Sequence, residues 1–65
     1  MKRKNLKLFR IEHDLTQQEM AQKCNIERSS YSLIECGLRD GRLNFWFTLQ
    51  NVFNVPDSEM FSLMK

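Results

Sequence analysis

The chain has 65 residues, two cysteines, one histidine and a formal net charge of +2, which is enough for one small core over residues 1–65 and leaves no room for a separate catalytic or sensory domain. Two cysteines are too few for the disulfide framework of a small secreted domain, and Cys24, Cys36 and His13 lack the spacing of a metal site, so both thiols are expected to be reduced in a cytoplasm, with no metal and no cofactor. Lys7 and Arg10 interrupt Leu6, Leu8, Phe9 and Ile11, which argues against a signal peptide or a membrane-spanning start.

Glycine and proline are confined to Gly37, Gly41 and Pro56, and apolar residues recur at helical spacing between them, so the chain reads as all-α. Lys2, Arg3, Lys4, Lys7 and Arg10 crowd positive charge into the beginning, a distribution that suits a phosphate backbone and equally a solvated terminus. A first helix is predicted from about Leu6 to His13, with Leu6, Phe9 and Arg10 turned inward. Thr16 and Glu19 stand three apart, the spacing of a reciprocal capping box, and start a second helix from Gln17 to Cys24. Asn25 tolerates a left-handed backbone and stops it. A third helix runs from Arg28 to Cys36 with Tyr31 and Ile34 on its apolar side, and Gly37 closes it. After a turn at Asp40-Gly41, a fourth helix spans Leu43 to Asn54 and a fifth spans Asp57 to Met64.

Two short helices joined by a tight turn, with small Ala21 between them and Ile26 at the corner, form an arrangement that projects the second helix from the surface. Leu15-Thr16-Gln17-Gln18-Glu19-Met20-Ala21, Cys24-Asn25-Ile26 and Ile34-Glu35-Cys36-Gly37 resemble the helix-turn-helix domain of phage repressors, Cro proteins and related bacterial transcriptional regulators. The likeness continues through Leu43, Trp46, Leu49, Phe53, Val55 and Phe61. It implies a compact five-helix, lambda-repressor-like DNA-binding domain, with the motif over about 17–36 and the third helix in the major groove.

By that resemblance Gln17 binds a backbone phosphate, Arg39 and Arg42 touch phosphates from the loop after the third helix, and Arg10 pairs with Glu35 beneath the recognition helix. Arg28, Ser29, Ser32 and Leu33 match groove-facing positions. Spacing agrees, since these four share one helical face opposite Tyr31 and Ile34. Their chemistry suits base edges: Arg28 can bridge the two acceptors of guanine, the serines can donate or accept, and Leu33 can pack on a thymine methyl.

Three residues depart from the family pattern. Glu27 stands where a short capping side chain is usual, Tyr31 replaces an aliphatic, and Gln50 replaces a small apolar residue and therefore needs a hydrogen-bond partner or solvent. In the fourth helix, Leu43, Trp46, Phe47 and Phe53 are expected to face inward. Phe45, Leu49 and Val52 then form a second stripe which, with Leu63 and Met64, is expected to make a homodimer interface.

The resulting expectation is a cytoplasmic, nucleoid-associated bacterial or phage repressor that binds double-stranded DNA at a palindromic operator as a homodimer, with no membrane partner and no small-molecule effector. The alternative is a protein-interaction module, antitoxin-like or anti-repressor, with weak DNA binding, for which Glu27 and the low net charge speak. Catalysis is not expected, because neither cysteine nor His13 has a sequence signature that joins it to a base and an orienting group.

Overall fold

Side chains at the helix ends decide where this chain coils and where it turns. The computed structural model describes residues 2–65, so Met1 of the expected domain lies outside it. It contains α1 (Lys4–Glu12), α2 (Gln17–Lys23), α3 (Arg28–Glu35), α4 (Leu43–Phe53) and α5 (Asp57–Met64), with no strand among the described residues. α1 starts at Lys4 rather than Leu6. His13, Cys24 and Cys36 lie just past the last helical residues, as caps whose N–H groups still bond to the last turn.

The Thr16–Glu19 capping box is complete: Glu19 N–H donates to Thr16 Oγ1 at 3.1 Å and Thr16 N–H donates to Glu19 Oε1 at 2.9 Å. Hydrogen bonding by the Thr16 backbone N–H, and after it by the Thr16 hydroxyl, holds the Glu19 carboxyl below its ordinary pKa. The first four helices then end in one way, with a left-handed residue after the last turn: Asp14, Asn25, Gly37 and Asn54, at φ between 55° and 80°. The amide after each of them reaches back to the last turn, as in Ile26 N–H to Ala21 O at 3.0 Å and Leu38 N–H to Leu33 O at 3.0 Å. This is the Schellman arrangement, and it satisfies carbonyls that a helix end otherwise leaves free.

α2 packs on α3, and α1 packs on both α5 and α3. Leu6 and Phe9 of α1, Met20 and Ala21 of α2, and Tyr31 and Ile34 of α3 meet Phe45, Trp46 and Leu49 of α4 and Met60 and Leu63 of α5 in one buried cluster. Among the described residues no helix is long and apolar enough to cross a membrane.

The faces of α4 differ from expectation. Phe45 and Leu49, expected on the outer stripe, are buried with Trp46, whereas Leu43 and Phe47, expected inside, are exposed; Val52 is exposed and Phe53 is half-buried. Leu63 is likewise buried and cannot serve an interface, while Met64 is exposed. The cause is local. Trp46 must turn its indole N–H toward Asp40 O, at 3.2 Å, and Phe45 stacks edge-on against that ring with centroids 4.8 Å apart. With Phe45 packed on that ring, positions 45 and 49 lie inward beside Trp46 and positions 43 and 47 outward, a choice that periodicity alone cannot make in a helix apolar on most sides.

Candidate nucleic-acid interface

α3 rests on a charged knot. Glu35, buried at the end of α3, accepts from Arg10 Nε at 2.9 Å and Arg10 Nη2 at 3.2 Å. It also accepts from the Tyr31 hydroxyl at 2.6 Å and Gln17 Nε2 at 3.2 Å, while Arg10 Nη1 donates to Leu15 O at 2.8 Å. Arg10 and Glu35 thus meet in a two-bonded pair that ties α1 and the α1–α2 connection to α3. Burial would push the Glu35 carboxyl up, but its hydrogen bonds from Arg10, Tyr31 and Gln17 outweigh that and hold it below its ordinary pKa. The bond to Glu35 also raises Arg10. Burial, and after it the bond to Glu35, raises the Tyr31 phenol. The bulk that sets Tyr31 apart from an aliphatic therefore carries a hydroxyl that completes the knot.

On α3 itself, Arg28 and Ser29 are exposed and Ser32 and Leu33 are half-buried, so all four keep some access to solvent. Glu27 occupies the N-cap and makes no side-chain bond to the free amides of α3. Two grooves are also present. One, of about 640 Å³, is lined by Ser30, Arg39, Arg42 and Asn44 over Ile34 and Phe45, and Arg39 Nη1 donates to Ser30 Oγ at 3.2 Å across it. The other, of about 390 Å³, brings Lys2, Lys4 and Lys7 together with Arg10, Gln17 and Cys36. Gln17 and the loop arginines therefore belong to different grooves. Ser30 and Asn44 were not anticipated from the sequence, because uncharged polar residues carry no signal until a groove brings them beside arginines.

Arg3 belongs by sequence to the basic end, but the structure encloses it. Its backbone N–H donates to Glu35 O at 2.9 Å. Its guanidinium donates to Ile34 O at 2.6 Å, Arg39 O at 2.9 Å, Asp40 O at 3.3 Å and Met64 O at 3.1 Å, and lies 5.6 Å from the centre of the Trp46 ring. Of the five early cations, only Lys2, Lys4 and Lys7 are left exposed. Gln50 finds partners: its Nε2 donates to Val55 O at 3.0 Å and to Asp57 Oδ1 at 2.6 Å, bracing the α4–α5 turn. Cys24 is buried, its thiol pushed up to about 11 by burial, and Cys36 is exposed. Among the described residues no group of three or more His, Cys, Asp or Glu side chains is placed to hold a metal ion.

The family model described as "Helix-turn-helix" matches residues 6–60. An uncharacterised HTH-type transcriptional regulator of Methanocaldococcus jannaschii is 36% identical over 56 residues, which cover 86% of this chain and 85% of that protein. No solved structure gave a significant match.

Proposed function

Since the chain belongs to the helix-turn-helix family, we propose that it is a DNA-binding transcriptional regulator that recognises a specific duplex sequence with α3 in the major groove. One observation carries this reading: Arg28, Ser29, Ser32 and Leu33 keep some access to solvent on a helix whose surroundings hold two separate sets of basic and polar groups. Arg39 and Arg42 with Ser30 and Asn44 would take phosphates at one groove, and Gln17 with Lys2, Lys4 and Lys7 at the other. Gln17 needs little movement for this role. Its amide has a second N–H beyond the one given to Glu35.

The regulatory outcome proposed is repression in the cytoplasm, because occupying an operator suffices to block transcription from it. A two-fold dimer on a palindromic site is part of the proposal, with the exposed Leu43, Phe47, Val52, Phe61 and Met64 as its apolar contact in place of the buried Phe45, Leu49 and Leu63. Selection of bound sequences from a random duplex pool tests the reading, followed by binding titrations at several salt concentrations. An enriched motif and an affinity that falls steeply with salt are expected. A pool without enrichment and binding insensitive to salt would instead favour the protein-interaction reading, for which Glu27 speaks by placing negative charge at the start of α3.

A further inference from the structure

The loop between α3 and α4 has little of its own to hold it. Leu38, its one aliphatic side chain, is 78% exposed, the side chains of Arg39, Asp40 and Arg42 are exposed as well, and Gly37 and Gly41 both have left-handed backbones. A segment with no buried apolar anchor keeps one shape only where its backbone polar groups are bonded. Here the amides of Gly37, Leu38 and Arg39 bond back to Ile34 O and Leu33 O, and Arg42 O accepts from the Trp46 N–H; the Trp46 indole donates to Asp40 O, Arg39 Nη1 donates to Ser30 Oγ, and the middle of the loop is further held by one side chain at the other end of the chain. Arg3 supplies the side-chain hydrogen bond to Arg39 O and shares Asp40 O with Trp46. The same guanidinium is itself fixed by Ile34 O and Met64 O. The nearby Asp40 carboxylate, 3.8 Å away and fully exposed, contributes little.

We propose that Arg3 is a positioning residue for DNA binding, which pins the α3–α4 loop in the shape that sets Arg39 and Arg42 along the groove beside α3. The proposal rests on the DNA-binding reading given above. Arg3 is only 9% exposed, so its effect on DNA is exerted through the loop. A planar fork is what the site requires, because its donors reach carbonyls in α3, the loop and α5 at once, whereas an ammonium of the same charge cannot span them.

The test compares the native protein with Arg3→Lys, Arg39→Ala and the double variant, each checked for folding by circular dichroism. Duplex affinity is measured over a range of salt, and amide hydrogen exchange is measured at residues 37–42 against the amides of α2. For Arg3→Lys the expected results are an affinity lower by about tenfold, a shallower salt dependence corresponding to the loss of about one phosphate contact, and faster exchange confined to the loop. Arg39→Ala should cost clearly less in the Arg3→Lys background than in the native one. A purely structural role would lower the melting temperature and leave the salt dependence and the coupling unchanged, and that result overturns the proposal. Unaltered loop exchange in a folded Arg3→Lys overturns it too, even if the native protein binds no duplex. That last outcome refutes the DNA-binding reading independently.

Discussion

Glu35 shows how much a single carboxylate can be asked to do. It gathers bonds from α1, α2 and α3, and removing one partner of such a buried pair leaves the other charge stranded, at a cost of about 3–5 kcal/mol. Arg10→Ala and Glu35→Ala should therefore each destabilise severely, while the double variant loses clearly less than the sum; additive losses in denaturant unfolding would show that the pair does not act as a unit. The pH dependence follows from the same bonds. Because the folded-state pKa of Glu35 is lowered, its contribution is present above its ordinary pKa and is lost as pH falls through that value toward the folded one. Tyr31 and Cys24 are raised, so their contributions are present at neutral pH and are lost as pH rises past their ordinary values of 10 and 9. A stability profile measured by thermal melting should thus have an acid limb that Glu35→Gln flattens. On the proposed DNA-reading face, Arg28→Ala should cost about 1–3 kcal/mol on the selected site and relax the choice at one G·C pair. Gln17→Ala should weaken binding to all duplexes alike. Equal losses on selected and random DNA for Arg28→Ala would remove it from the base-reading set.

At the scale of helices, most of the local signals could be read from residue types, because caps act within a few positions of where they stand. Thr16 with Glu19, Asn25 and Gly37 each announced a boundary that the structure has. Asp14 and Asn54 did not stand out as left-handed stops, since neither residue demands that conformation and only the following turn selects it. Asn25→Ala should then lower stability by about 1–2 kcal/mol, the cost of an ordinary side chain in the left-handed region, whereas Asn25→Gly should not. α3 presents the opposite case, a helix start without its cap. Glu27→Ser should stabilise the protein by about 0.5–2 kcal/mol and, by removing negative charge near the reading face, tighten DNA binding. Chemical denaturation and a duplex titration on the one variant measure both. A Glu27→Ser protein bound no more tightly than the native one would mean that Glu27 lies away from the phosphates.

For the molecule as a whole, contacts between segments distant in the chain were the hidden part. Arg3 looked like one more basic residue near the start, and nothing nearby in sequence marks the carbonyls of Ile34, Arg39, Asp40 and Met64 as its destinations. The facing of α4 was hidden for a related reason: two apolar stripes on one helix leave the choice to packing between side chains, here Phe45 against the Trp46 ring. The apolar side chains left exposed, Phe47 and Phe61 among them, lead to a prediction about assembly. Phe47→Glu and Phe61→Glu should shift the mass in solution from dimer to monomer without loss of helicity, and DNA protection should shrink from two half-sites about 34 Å apart to one. A native protein that is already monomeric at micromolar concentration would sink the dimer. Trp46 has one more use. It is the sole tryptophan, and its ring touches the Arg3 guanidinium, the Asp40 carbonyl and the Phe45 edge, while a Cβ on Gly41 would stand 3.1 Å from its nitrogen. The protein therefore carries a built-in optical reporter at the junction of its N-terminal segment, its loop and α4. Excited selectively, that fluorophore can follow unfolding and ligand occupancy of the neighbouring groove as separate emission changes, with no dye attached.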